Sequence, residues 1–221
     1  MAAAIRAILL IALVVAGIPG APKAAGAEEP PTASDVFLDK VQRAAVAYFW
    51  QEANPRTGLV WNTTELHTSA SITATGVALS AIVIGIERGW IQREEGYARV
   101  LRTLKTMAEQ LEHVQGFFYH YLDFDRGVRV RDAEVSCIDT AIAIVSVLAA
   151  GEYFKGTEVQ QLAQQLYERL DWAWFLNGEE TLRWSWMPEE GFQEGSIHFS
   201  EGLLAYLLAL GSPTHPIPES S

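Results

Sequence analysis

Cysteine is almost absent from this sequence, because Cys137 is the only one in 221 residues. A single thiol excludes an intramolecular disulfide, and no cysteine follows the N-terminal apolar run to accept a lipid. Within VSCIDTAIAIV it is most simply a small buried side chain, and no local histidine pattern predicts a catalytic thiol.

Positive charge is also scarce, with 16 Lys and Arg against 27 Asp and Glu and a net charge of −11. Nucleic acid and anionic membrane surfaces attract basic proteins, so neither is expected as a partner. The hydrophobic fraction of 49% and the seven Trp predict one sizeable core rather than disorder. A neutral ligand such as a glycan fits the charge balance, although solubility alone would explain it too.

The N-terminal apolar run, residues 7–18, is too short for a comfortable membrane span. It follows MAAAIR and precedes an Ala-Gly-Ala site at 25–27, which is the order of a secretory signal. We therefore expect 1–27 to be a signal peptide and 28–33 a linker. The mature protein would be exported to the periplasm or secreted, with no membrane span after cleavage. The alternative is an uncleaved anchor.

Six later segments have helical patterns of two kinds. Three are amphipathic, with one apolar and one charged face: 34–53, 93–112 and 157–171. Three carry almost no charge, and a helix that is apolar all round must be buried all round: 70–86, 135–150 and 202–211. The two kinds alternate, which predicts an all-α fold of stacked αα-hairpins with outer and inner helices.

Two helix starts have recognisable caps. Ser34 or Asp35 is expected to cap the first helix, and a capping box from Thr157 to Gln160 is expected to open the fifth. The buried stripe of the first helix is expected to hold Phe37 or Leu38, Val41, Ala45, Tyr48 and Phe49.

The connections alternate as well. Short turns with glycine follow the first two uncharged segments, and long loops precede all three: 54–69, 113–134 and 177–198. All three long loops should therefore lie at one end, above the N-termini of the inner helices. Stacked hairpins form an open solenoid or a closed α/α toroid, and fully buried inner helices favour the toroid.

One long stretch, GFFYHYLDFDRGVRVRDAEVSCIDT at 116–140, combines aromatic side chains with five acidic ones. Long loops that persist in a compact domain usually carry a function. A sugar stacks on aromatic rings and donates hydrogen bonds to carboxylates, so one interpretation is a glycan cleft. The other is a set of core aromatics beneath a solvated acidic loop.

Four blocks carry a family resemblance: YFWQEANPRTGLVWN, SITATGVALSAIVIGIERGWI, GFFYHYLDFDRGVRVRDAEVSCIDTA and LLAYLLALGSPTHPIP. In this order they resemble the bacterial glycoamylase-like domain, a family of glucoamylase-like proteins, endo-β-1,2-glucanases and the C-terminal region of cyclic β-1,2-glucan synthases. The resemblance covers roughly residues 34–218 and implies an (α/α)6 toroid of twelve helices. Six are predicted here, so residues 34–221 resemble the N-terminal half of such a domain. The chain is then a fragment, or it pairs with a second half-domain or with itself, and we expect a marginal or self-associating fold.

The resemblance also implies hydrolysis of a glycosidic bond by two carboxylates. Glu134 and Glu201 match acidic positions of the family and are the expected acid/base pair, with Asp132 as an auxiliary carboxylate. Without the resemblance, both glutamates and Asp139 are simply acidic groups at helix starts, where they complement the helix dipole or accept local hydrogen bonds.

Further side chains at the loop end are candidate sugar contacts, although some of them must be core: Trp61, Tyr119, His120, Tyr121, Arg131, Trp184, Trp186 and Phe192. For Arg56 and Arg131, fixing the acidic loop is the simpler role. The histidines show no metal-ligand spacing, so no metal and no cofactor are expected.

The sequence thus predicts an exported glycoside hydrolase of the glycoamylase-like class that acts on a glucan, with a β-1,2-linked one slightly preferred. The rival interpretation is a non-catalytic helical module that binds a glycan or a protein through its incomplete face.

Overall fold

The computed structural model describes residues 32–195, 197 and 200–221. The predicted signal peptide, most of the predicted linker and His198 lie outside these residues. The described part contains seven α-helices: α1 (Ala33–Gln51), α2 (Ile72–Glu87), α3 (Arg93–Glu109), α4 (Cys137–Tyr153), α5 (Glu158–Glu168), α6 (Trp172–Leu176) and α7 (Leu203–Leu210). It also contains eight short strands: β1 (Val60–Trp61), β2 (Ala70–Ser71), β3 (His113–Val114), β4 (Phe117–Phe118), β5 (Tyr121–Leu122), β6 (Val135–Ser136), β7 (Ser185–Met187) and β8 (Gly191–Phe192).

The helices pack in two rows. The uncharged helices α2, α4 and α7 lie side by side, with α4 in the middle. The amphipathic helices α1 and α3 pack against α2, and α5 packs against both α4 and α3. The predicted helical class is therefore confirmed, and amphipathic and uncharged helices alternate along the chain as predicted. The prediction that all three uncharged helices are buried all round is wrong for α7, because Leu203 and Leu210 are exposed. Within the described residues, no helix combines the length and the apolar character that a membrane crossing needs.

The tightest helix contact joins the two inner helices α2 and α4. A Cβ added to Gly76 would lie 2.3 Å from the Cα of Ala143, so the two backbones touch at this point. Glycine and alanine are the residues that allow such an approach, because any larger side chain would push the helices apart. The N-terminal ends of α2 and α4 are thereby held close together.

Both of these helices begin where a short strand ends. Ser71 closes β2 and caps α2 by accepting a hydrogen bond from Ala74, and Ser136 closes β6 and caps α4 by accepting one from Asp139. A serine hydroxyl at this position satisfies one of the backbone N–H groups that a helix start leaves without a partner.

The long loops meet at this same end. β2 of the first loop pairs with β5 of the second, and β6 at the end of the second loop pairs with β7 of the third. These strands were not predicted, because two-residue strands leave no periodic pattern in a sequence. The predicted common end of the long loops is found in the described residues.

The caps predicted for α1 and α5 differ from those in the structure. α1 begins one residue earlier than expected, and its capping box joins Thr32 to Asp35 rather than starting at Ser34 or Asp35. At α5 the hydroxyl of Thr157 donates to the carbonyl of Phe154, so the predicted capping box is absent and this prediction was wrong.

The buried stripe predicted for α1 is wrong in its first half. Phe37 is 64% exposed, Leu38 61% and Val41 50%, whereas Val46 is buried against α2. Periodicity identifies the apolar face of a helix, but it does not say whether another element covers that face. α1 therefore presents an uncovered apolar surface, which we call the α1 apolar face (Val36, Phe37, Leu38 and Val41).

One buried cation connects separate hairpins. The guanidinium of Arg169, just after α5, donates to the carbonyls of Met107 and Ala108 in the last turn of α3. Burial lowers the pKa of Arg169 to about 10. The charge remains in place at neutral pH and satisfies carbonyl groups that a helix end leaves unpaired.

Candidate active site

The site lies where the second long loop runs between the starts of α2 and α4. The backbone of His120 is fixed on both sides, since its N–H donates to the carbonyl of Glu134 at 2.8 Å and its carbonyl accepts from Ile72 at 3.1 Å. Glu134 directly precedes β6, and Asp139 occupies the first turn of α4. Strand pairing and two helix starts thus bring together three polar residues that are distant in sequence.

The imidazole of His120 lies between two carboxylates. Its Nδ1 is 2.9 Å from Oε1 of Glu134, and its Nε2 is 3.7 Å from Oδ1 of Asp139. The first distance is that of a hydrogen bond, and the second is a charge contact. The ring also stacks on Tyr121, with centroids 3.9 Å apart.

Asp139 is held by hydroxyl groups from both inner helices. Oδ1 accepts from Thr73 and Oδ2 accepts from Ser136, each at 2.5 Å. This confirms the interpretation of Asp139 as an acceptor for local hydroxyl donors. Thr73 was missed by the sequence analysis, because its partner lies on another helix and no local motif links the two.

The electrostatics of the cluster favour an ion pair. The hydrogen bond from His120 is the main cause that lowers the pKa of Glu134; burial opposes it. Burial alone would lower the pKa of His120, but the hydrogen bond to Glu134 and the charges of Asp139 and Glu134 outweigh it and raise that pKa. Both shifts favour the pairing of an ionised Glu134 with a protonated His120.

The same three side chains offer ligand atoms within 4.8 Å of one another, and they are the one group of this kind among the described residues. The two carboxylates, however, face different nitrogens of the imidazole. One metal ion binds only one nitrogen of a ring, whereas here each nitrogen faces a different carboxylate. The geometry is that of one hydrogen bond, between His120 and Glu134, and one charge contact, between His120 and Asp139.

Glu134 and Glu201 line one cavity of about 260 Å³, together with His120, Asp139 and Trp184. The two predicted carboxylates therefore lie at the same end of the molecule, as a shared substrate requires. Trp184 is 50% exposed, so part of its indole is open to a ligand.

A second cavity of about 390 Å³ adjoins the first, because Glu134 lines both. It holds three more of the predicted residues, Tyr121, Arg131 and Asp132, beside Asn62. Arg131 has a positive φ of 53°, a backbone strain that is uncommon outside glycine and is concentrated at functional sites.

Four predicted aromatic contacts are partly or fully covered by neighbouring side chains. Tyr119 is 3% exposed beneath the guanidinium of Arg129, and Trp61 is enclosed between the parallel rings of Phe124 and His67. Trp186 and Phe192 are half-buried and pack on Trp174 of the core. These side chains support the loops, which corrects the prediction for Tyr119 and Trp61.

The acidic loop is fixed by arginines. Arg56 donates to Asp125 at 2.6 Å, as its predicted role requires. Arg129 donates to both carboxylate oxygens of Glu189 and to the carbonyl of Ala133. The role of Arg129 was not predicted, because several arginines lie close together in this stretch and spacing alone does not distinguish them.

No family model matches the chain. A search of characterised proteins finds similarity to an exo β-1,2-glucooligosaccharide sophorohydrolase of Parabacteroides distasonis, with 28% identity over 202 residues. The match covers 85% of this chain and 28% of that protein.

Two solved structures share the fold. The endo-β-1,2-glucanase of Chitinophaga pinensis, in complex with sophorotriose and glucose, has a TM-score of 0.74 at 27% identity, over 86% of this chain and 50% of that one. A β-1,2-glucanase of Parabacteroides distasonis has a TM-score of 0.77 at 26% identity, over 88% of this chain and 30% of that one.

The chain therefore spans 50% of the Chitinophaga structure, 30% of the Parabacteroides structure and 28% of the Parabacteroides sophorohydrolase, while 85–88% of this chain is matched in each case. The resemblance that the four sequence blocks predicted is confirmed, because the chain is similar to proteins named as β-1,2-glucan hydrolases.

Proposed function

We propose that this protein is a glycoside hydrolase that acts on a glucan by two-carboxylate acid/base catalysis. The observation that carries the proposal is that Glu134 and Glu201 line one cavity, beside a half-exposed Trp184. Two carboxyl groups facing one scissile bond, with an apolar surface for the sugar ring, are the minimal machinery for this reaction.

The two carboxylates take different roles in this proposal. His120 lowers the pKa of Glu134, so Glu134 is the ionised partner that activates water or attacks the sugar. Glu201 then supplies the proton to the leaving group. Asp132 lines the adjoining cavity and serves there as an auxiliary carboxylate with Arg131 and Tyr121.

We infer a β-1,2-linked glucan as the preferred substrate. Both solved relatives described above are β-1,2-glucanases by name, and one of them holds sophorotriose and glucose. The net charge of −11 is compatible with a neutral polysaccharide.

The row of three hairpins is proposed to be about half of an (α/α)6 toroid, residues 34–221 being the hairpin domain. Its α1 apolar face and the exposed Leu203 and Leu210 of α7 are surfaces that a second set of hairpins, or a second copy of the chain, would cover. We also propose export through the N-terminal signal at 1–27. N-terminal sequencing of the mature protein tests this, and detection of residues 1–27 would contradict it.

Incubation of the purified chain with linear β-1,2-glucan, followed by product analysis, tests the activity. We expect reducing sugars that disappear in Glu134→Gln and Glu201→Gln. Laminarin and cellulose oligosaccharides are the linkage controls.

A second candidate function is a non-catalytic module that binds a glycan or a protein. The α1 apolar face supports it, because exposed apolar patches often mark interaction surfaces. Glucan binding without product release, unchanged in both glutamine variants, would favour the module over the enzyme.

A further inference from the structure

We propose that His120 and Asp139 are positioning residues: Asp139 holds His120 as an imidazolium, and the imidazolium holds the carboxylate of Glu134 ionised and directed at the cavity. This inference rests on the proposed function for its catalytic meaning. The charge states that it assigns to His120, Asp139 and Glu134 do not depend on catalysis.

The first step is the fixed orientation of His120. Its backbone is bonded on one side to Glu134 and on the other to Ile72, and its ring stacks on Tyr121. Rotation of the ring would break the stacking and the 2.9 Å contact together. Nδ1 is therefore committed to Glu134, and Nε2 is committed to the side of Asp139.

The second step is the charge of Asp139. Each of its carboxylate oxygens accepts a hydrogen bond from a hydroxyl group, one from Thr73 and one from Ser136. An ionised carboxylate only accepts hydrogen bonds, so this arrangement suits the anion. The anion lies 3.7 Å from Nε2 and stabilises a proton there.

The third step is the set of other charges around the ring. Glu201 lines the same cavity, Asp132 and Arg131 line the adjoining one, and Arg129 acts on Glu134 from the loop. The phenol of Tyr121 lies against the imidazole. Among these groups, only the two arginines disfavour a proton on His120. The direct contacts of the imidazole are instead with Glu134, Asp139 and Tyr121.

The chain of contacts explains why Glu134 remains ionised although it is half-buried. A hydrogen bond from a neutral imidazole would hold it less firmly than a charge-assisted one. Asp139 lines the same cavity, but in this role it acts through His120.

Histidine-selective ¹⁵N NMR titration of the full chain tests the inference. The signal of His120 is assigned by its loss in His120→Asn. In the wild type we expect His120 to titrate above the ordinary histidine pKa of about 6.5, with both ring nitrogens protonated below it. In Asp139→Asn we expect that pKa to fall by roughly one unit.

Asp132→Asn is the matched control, because it removes a carboxylate from the adjoining cavity without removing a contact of His120. It should shift the titration of His120 much less than Asp139→Asn does. A titration below 6.5 in the wild type, or equal shifts in the two variants, would overturn the proposal. Should Asp139→Asn fail to fold, the wild-type titration decides alone.

The pH profile of glucan hydrolysis tests whether Asp139 affects catalysis. In Asp139→Asn the acidic limb of kcat/KM should move to higher pH, because Glu134 then needs a higher pH to ionise. An unmoved limb in an active variant would remove Asp139 from the mechanism. A raised His120 pKa in a wild type that releases no sugar would retain the charge arrangement and reject the proposed hydrolase instead.

Discussion

The starts of α4 and α7 each carry one of the two candidate carboxylates, and they are built very differently. At α4, Ser136 caps the helix, Asp139 accepts from two hydroxyl groups and Glu134 is bonded to His120. At α7, Gly202 occupies the cap position without a side-chain hydrogen bond, and Glu201 is exposed.

The packing behind the two helix starts differs in the same way. α4 lies between α2 and α7, and none of its residues is exposed. α7 forms the edge of the row and leaves Leu203 and Leu210 exposed. A carboxylate is oriented well where the helix beneath it is enclosed, so the structure orients Glu134 more firmly than Glu201.

The largest expected effect separates the two carboxylates by role. Glu134→Gln and Glu201→Gln should each lower kcat on β-1,2-glucan by about 10²- to 10⁴-fold. With a nitrophenyl sophoroside, whose leaving group needs no proton, Glu201→Gln should regain most of its rate and Glu134→Gln should not. Steady-state kinetics on both substrates measure this.

Glu152→Gln is the control for this comparison, because it changes a glutamate at the opposite end of α4. Its rates should match the wild type. Recovery of Glu134→Gln rather than Glu201→Gln on the activated substrate would exchange the two assigned roles.

Next in size is the stability of the two helices. Ile144→Ala removes a fully buried side chain from α4 and should cost about 2–5 kcal/mol. Leu210→Ala removes a side chain that is 43% exposed on α7 and should cost less than about 1 kcal/mol in a monomer. Urea unfolding at two protein concentrations measures both. A large cost for Leu210→Ala that grows with protein concentration would show that α7 is covered by a second copy.

A smaller effect tests the contact that positions the start of α4. Gly76→Ala places a Cβ against the backbone of Ala143 and should destabilise by about 1–3 kcal/mol. Gly85→Ala in the same helix meets the flexible end of Ile91 and should cost less. Equal midpoints in urea for the two variants would contradict the close approach of α2 and α4.

The smallest effect is the pH dependence of the ion pair at α4. The lowered pKa of Glu134 stabilises the fold at pH values above the pKa that Glu134 has in the unfolded chain. This stability is lost as pH falls through the pKa of the folded state. The raised pKa of His120 stabilises the fold at pH values below the pKa that His120 has in the unfolded chain. This stability is lost as pH rises through the pKa of the folded state. Both residues are partly exposed, so the sum should be about 1 kcal/mol or less.

Unfolding of the wild type and Glu134→Gln between pH 4 and 8 measures this difference. The advantage of the wild type should be greatest between the unfolded-state pKa values of Glu, about 4.3, and of His, about 6.5, and shrink on either side. A difference that is constant across this range would reject the ion pair.

The helix order could be predicted because charge and its absence alternate over whole segments, as in 93–112 and 135–150. That order was enough to place Glu134 and Glu201 at one end. Which apolar faces are covered by another element could not be predicted. α1 shows this, because no described element covers the first half of its apolar stripe.

The details of the site depend on contacts between distant segments. Thr73 and Asp139 meet only because Gly76 lets α2 approach α4. Tyr119 and Tyr121 look equivalent in sequence, yet the first is buried and the second borders a cavity. Side chains two positions apart on an extended chain are expected on the same side, so the sequence pattern could not distinguish the two tyrosines.

The buried guanidinium of Arg169 has a consequence for how the protein opens. Its two bonds to the end of α3 come from the segment that follows α5, so fraying of α5 would leave the carbonyls of Met107 and Ala108 without their donor. Amide protons in these two helices should therefore exchange with solvent in a single cooperative event, rather than hairpin by hairpin.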